Sequence, residues 1–145
     1  MSNYYKVLLG LTAATILICA AAIIYMFATP APSDRFTEFY LLGDNGTAAG
    51  YPATVQAGAP VQVTVGVVNH EVTTSSYRVN VISNGATLES LQSPGLAPNQ
   101  KWEEKASFAL SSPGENQTVQ FYLYMNNSDQ PYIKDPLTLR LNVTK

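Results

Sequence analysis

Reactive side chains are scarce in this sequence. Its 145 residues include one cysteine, one histidine, one tryptophan and three methionines. A single cysteine allows no disulfide within the chain, so a domain outside the cell must be held by its core alone. One cysteine and one histidine also cannot supply the three or four nitrogen and sulfur ligands of a zinc site. Charge is thin as well, at 12% of residues with a net charge of −2. A nucleic-acid binder needs a basic stripe along one face, and this composition argues against one. No internal repeat or low-complexity tract interrupts the chain.

The shortage of charge has one main source. Val7 to Ala28, "VLLGLTAATILICAAAIIYMFA", contains no charged residue. As a helix these 22 residues measure about 33 Å, enough to cross a hydrocarbon core of about 30 Å. The apolar core of a secretory signal peptide is shorter, about 7–15 residues. The segment therefore reads as an uncleaved signal anchor in contact with the lipid bilayer through residues 7–28. Tyr4 and Tyr5 at one end, and Tyr25 and Phe27 at the other, fit interfacial aromatic belts. Lys6 and the α-amine flank one side, whereas Asp34, Arg35 and Glu38 flank the other. By the positive-inside rule, residues 1–6 form a cytoplasmic stub, and the C-terminal domain lies outside the cell membrane. Cys19 falls inside the span. Gly10, Ala14 and Ala21 share one helix face, and Gly10 with Ala14 makes a small-xxx-small pair of the kind that lets helices approach closely. Self-association or a protein partner is expected there.

Residues 29–35 read as a short, semi-rigid proline linker. Beyond it, seven runs of β-branched and aromatic residues are separated by Gly, Pro and Asn turn signals. They are "FTEFYLL" (36–42), "PVQVTVGVV" (60–68), "YRVNVIS" (77–83), "ATLESLQ" (86–92), "KWEEKASFAL" (101–110), "TVQFYLYM" (118–125) and "PLTLRLNV" (136–143). Alternation puts Val61, Val63, Val65 and Val67 on one face, and Tyr77, Val79 and Val81 on another. Trp102, Ala106, Phe108 and Leu110 share a third face. Val119, Phe121, Leu123 and Met125 make a fourth, and Leu137, Leu139, Leu141 and Val143 a fifth. Asn84-Gly85 is a two-residue hairpin signal. No amphipathic helix lies between the runs. The expectation for 36–145 is all-β: an immunoglobulin-like antiparallel β-sandwich of about seven strands, preceded by one N-terminal transmembrane α-helix.

The lone histidine sits in "VTVGVVNHE" (63–71), with Glu71 beside it. A zinc protease requires a second histidine four residues on, but the sequence continues H-E-V-T-T. No G-x-S-x-G elbow offers a nucleophilic serine. His70 and Glu71 therefore read as a strand-end element whose polar groups hold a loop. Asp44, Asp129 and Asp135 match no EF-hand spacing and read as scattered surface carboxylates. No catalytic residue, cofactor or metal is expected. Four Asn-x-Ser/Thr sequons mark expected glycosylation sites at Asn45, Asn116, Asn126 and Asn142, in turns, at a strand start or on an outward position. Tyr122 and Tyr124 point away from the core, either beneath a loop or as a contact surface.

The blocks "FTEFYLLG" (36–43), "YPATVQAG" (51–58) and "VGVVNHE" (65–71) resemble an archaeal membrane-protein family, domain of unknown function 1616. A "W-E" strand (Trp102-Glu103) and a "PY" near the last strand (Pro131-Tyr132) extend the likeness over residues 36–145. The resemblance implies an exported module with Asn69, His70 and Glu71 as a signature turn, and it implies no activity. Many members of that family carry several membrane helices before the module, whereas this sequence shows one, so no role of that longer membrane part transfers.

The function expected is that of a non-enzymatic, single-pass cell-surface protein displaying its domain for binding or envelope structure. The alternative is a structural subunit of a membrane complex or of a pilus-like or archaellum-like filament. The basic-plus-glycine site and following glutamate of prepilins are missing around Lys6 and Gly10, which weighs against the filament.

Overall fold

The computed structural model describes residues 2–28 and 34–145. They form two compact units, 1–34 and 35–145, each described by itself. The first is helix α1, Asn3–Ala28. Leucine, isoleucine and alanine favour helix throughout, and no proline occurs before Pro30. The helix begins four residues before the apolar run, so Tyr4 and Tyr5 lie on it. None of its residues is buried. It is apolar on all sides, as a helix facing lipid is. Its two threonines turn their hydroxyls inward: Thr12 donates to the Leu9 carbonyl and Thr15 to the Leu11 carbonyl, both at 2.9 Å. Such back-bonding satisfies both threonine hydroxyls within the helix. The expected linker, 29–35, lies largely outside the described residues.

The second unit is a sandwich of eight strands: β1 (Thr37–Leu42), β2 (Thr54–Gln56), β3 (Pro60–Asn69), β4 (Tyr77–Ser83), β5 (Ala86–Gln92), β6 (Lys101–Ala109), β7 (Gly114–Met125) and β8 (Leu137–Thr144). One sheet has the order β1-β3-β6, and the other β2-β8-β7-β4-β5. The alternating faces meet between them. Val63, Val65, Val67, Val79, Val81, Phe121, Leu123 and Leu141 are almost wholly buried, with Trp102 and Phe108 beside them. Phe108 packs edge-on to Phe121 at 6.0 Å between ring centres. At Asn84-Gly85 both residues take positive φ, 51° and 76°, which the tight turn between β4 and β5 requires.

Three details depart from the sequence reading. β2 is an eighth strand, too short and too closely framed by Pro52 and Gly58 to register as one. It pairs parallel to β8, so the sandwich is not wholly antiparallel. β7 starts four residues early, at Gly114, because a register shift between Gly114 and Gln117 admits Asn116 at φ 51°. A bulge of this kind carries pairing through a stretch whose alternation is broken.

Exposed sheet edges invite pairing with other chains unless something covers them. Here side chains do so. The Glu89 carboxylate on β5 accepts from the Ser107 N–H of β6 at 2.6 Å. On β1, the Tyr132 hydroxyl accepts the Thr37 N–H at 3.1 Å, and the Tyr51 hydroxyl donates to the Leu41 carbonyl at 2.8 Å.

Candidate functional site

The strand-end residues Asn69, His70 and Glu71 lie where β3 leaves the sheet, beside the start of β1. Asn69 is fully buried. Its Nδ2 donates to the carbonyls of Thr73 (2.9 Å) and Leu96 (2.8 Å), and its Oδ1 accepts the Glu71 N–H at 2.9 Å. Its backbone N–H donates to Gln100, and its carbonyl accepts from Asn99. One side chain thereby pins two loops, the one after β3 and the one before β6. Buried amides require this degree of pairing, because each unmet donor or acceptor is costly.

Glu71 accepts a hydrogen bond from the Tyr132 hydroxyl at 2.8 Å. The same hydroxyl holds the first N–H of β1, and the Thr37 side chain meets the buried Tyr77 hydroxyl at 2.9 Å. Burial, and then the carboxylate it faces, raise the Tyr132 pKa, since a phenolate there would be poorly solvated and close to a negative charge. His70 is looser. Its N–H donates to the Phe36 carbonyl, its ring lies 4.6 Å from that of Phe36, and its Nε2 stands 3.4 Å from Glu38.

A second constellation runs across the three-stranded sheet. Tyr40 on β1 pairs with Gly66 on β3, which pairs with Glu103 on β6. The tyrosine lies flat over the central strand, and its hydroxyl donates to Glu103 Oε1 at 2.7 Å. A Cβ at residue 66 would overlap the Tyr40 ring, so only glycine admits this crossing. Burial and the facing Glu103 carboxylate push the Tyr40 hydroxyl up to about 12. The Tyr40 hydrogen bond, and then Lys101 at 3.2 Å, hold Glu103 below the usual carboxylate range. A glycine inside a strictly alternating strand is the sequence signal that marks this crossing.

The structure thus joins four of the five blocks that carried the family resemblance, and the Tyr51 hydroxyl on the Leu41 carbonyl brings in the fifth. Thr37 and Tyr40, Asn69 to Glu71, Glu103, and Tyr132 are tied to one another by hydrogen bonds. It does not join the three aspartates. Among the described residues no group of three or more His, Cys, Asp or Glu side chains is placed to hold a metal ion.

The four sequons fall in three places. Asn45 lies in an exposed turn after β1, where the Thr47 hydroxyl donates to its Oδ1 at 2.8 Å. Asn116 and Asn142 are neighbours across β7 and β8, the Asn116 N–H donating to Asn142 Oδ1 at 2.8 Å. Asn126 follows β7 and accepts the Ser76 N–H. Tyr122 and Tyr124 are half-buried on the outer face of the larger sheet, with the Arg78 guanidinium 4.7 Å above the Tyr124 ring. On α1, Gly10, Ala14 and Ala21 are exposed.

The sequence matches a family described as a domain of unknown function, DUF1616, over residues 30–144. No curated protein matches it. Among solved structures, it is similar to the crystal structure of the CARDB domain of the PF1109 protein from Pyrococcus furiosus in complex with di-metal ions. That likeness has 14% identity and a TM-score of 0.53, covering 79% of this chain and 97% of that one. A solution structure of the same domain gives 15% identity and a TM-score of 0.50, covering 75% and 96%. At such identities the likeness establishes an immunoglobulin-like sandwich fold alone.

Proposed function

The chain belongs to the family of the domain of unknown function DUF1616, and from that premise we propose that it is a non-enzymatic, single-pass cell-surface protein displaying an immunoglobulin-like domain for binding or envelope structure. One observation carries the reading. A 26-residue helix with no buried residue is joined to a sandwich that closes its own core. A helix apolar on every side is suited to a bilayer. The signature residues support the non-enzymatic part, because their polar atoms are engaged in holding loops and a strand edge rather than facing a cleft. In this reading residues 1–6 are cytoplasmic, 7–28 span the membrane, 29–35 link, and 36–145 are extracellular. The sequons at Asn45, Asn116, Asn126 and Asn142 are then glycan acceptors.

A second reading, a subunit of a membrane complex or filament, draws support from Gly10. Among the described residues, and leaving aside the adjoining backbone of its own helix, nothing comes within 4 Å of where its Cβ would stand. Together with Ala14 and Ala21 this leaves a smooth face for another helix.

Membrane fractionation tests the first reading. The full chain is expected to stay in the membrane pellet through an alkaline carbonate wash, while residues 34–145 alone are soluble and folded. Release of the full chain by carbonate contradicts the anchor. A full chain that sediments in mild detergent as a large regular polymer replaces display by assembly.

A further inference from the structure

Three large apolar side chains of the sandwich are exposed among the described residues: Phe36 (46%), Val72 (53%) and Ile133 (38%). All three stand at one end. Phe36 immediately precedes β1, Val72 follows the end of β3, and Ile133 lies between β7 and β8. Their neighbours are bonded together, since the Tyr132 hydroxyl joins Thr37 to Glu71. The opposite end carries the β4–β5 turn, the loop before β3 and the start of β7, with no exposed large apolar side chain among the described residues.

Isolated exposed apolar residues are ordinary, but their confinement to one end is not. The chain itself indicates what covers them. Phe36 is the eighth residue after Ala28, and eight extended residues reach at most about 29 Å. If α1 spans a bilayer, the end bearing Phe36 is tethered close to a lipid surface. Its polar residues suit that setting. Arg35, Lys134 and His70 alternate with Glu38, Glu71 and Asp135, so the patch has no strong charge of one sign and calls for no anionic lipid.

We propose that this end of the sandwich is a lipid-docking surface, with Phe36, Val72 and Ile133 lodged at the headgroup–acyl boundary of the bilayer that the chain's own helix spans. The proposal rests on the reading of α1 as a membrane span. Docking of this kind draws on buried apolar area, and three side chains give a reversible contact rather than a second anchor. It limits the orientations of the domain and turns the end bearing Asn45, Asn116 and Asn142 away from the membrane, while Asn126, just after β7, stays at the docking end, where a glycan has to lie beside the lipid surface.

The test uses the full chain in phosphatidylcholine vesicles, with nitroxide spin labels read by power saturation against oxygen and a water-soluble nickel chelate. Native Cys19 reports on the span. In a Cys19→Ala background, Val72→Cys and Ile133→Cys report on the docking end, and Ala86→Cys on the opposite end. All three sites are exposed, so labels there leave the core untouched. The expected result is an oxygen-to-nickel accessibility ratio at least about twofold higher at residues 72 and 133 than at 86, because oxygen partitions into lipid and the chelate does not. Equal ratios at all three sites, with Cys19 still lipid-exposed, overturn the docking and leave the span standing. Labels at 72 and 133 shielded from both reagents indicate a protein partner instead and also overturn it. A water-exposed Cys19 overturns both readings.

Discussion

Asn69 is fully buried and its side chain makes three hydrogen bonds, whereas the adjacent His70 is half-exposed and its side chain makes one polar contact, at 3.4 Å. Asn69→Ala leaves the Thr73 and Leu96 carbonyls and the Glu71 N–H short of a partner. An unmet buried group costs roughly 1–3 kcal/mol, so the loss is expected to reach about 3 kcal/mol or more. For a domain whose total stability is on the order of 5–15 kcal/mol, that is a large fraction. His70→Ala removes an exposed contact and some ring packing, and is expected to cost less than about 1 kcal/mol. Denaturant titration of residues 34–145 measures both, and a His70 effect exceeding the Asn69 effect contradicts this assignment. At this scale the sequence is a partial guide. His70 draws attention by being the one histidine, and its position at a strand end is legible from the valines before it. The larger task of Asn69 is hidden, because its partners are backbone groups from loops up to 27 residues away in the chain.

The Tyr40–Gly66–Glu103 crossing belongs to the sheet, since it ties β1, β3 and β6 in one row. Its titration has a definite sign. Tyr40 is raised from 10.0 to about 12, so the protonated form is favoured in the fold. The stability it contributes is fully present below pH 10 and is lost as pH rises towards 12. Tyr132 is also raised and adds to the same loss. Glu103 is lowered from 4.5, so its contribution is present above that value and disappears as pH falls through its folded pKa. Between these limits the pair adds no slope. Tyr40→Phe is expected to flatten the alkaline fall seen by denaturant titration between about pH 10 and pH 12. Gly66→Ala, which displaces the ring, is expected to return the Tyr40 titration towards 10 and to cost on the order of 1–3 kcal/mol. An unchanged alkaline profile in Tyr40→Phe contradicts the crossing. The strands themselves are legible, because alternation with period two exposes a buried face directly. β2 is not, since three residues carry no period, and the bulge at Asn116 breaks the alternation that marks the rest of β7.

For the whole molecule, a sequence poor in charge resolves into one helix without a polar face and one sandwich with a closed core. That division is legible because 22 uncharged residues and seven alternating runs are both long-range patterns. The exposed end formed by Phe36, Val72 and Ile133 is not legible, since the three are far apart in sequence and each alone is unremarkable. In the proposed function the sandwich stands outside the cell on its own anchor. The most direct measurement is protease digestion of intact cells, followed by mass analysis of the protected fragment. A fragment containing the N-terminal tyrosines and α1 is expected to survive, with residues 34–145 degraded. The undigested chain should also exceed its sequence mass by glycan increments. Full protection of 34–145 in intact cells, with digestion once the membrane is opened, contradicts the account.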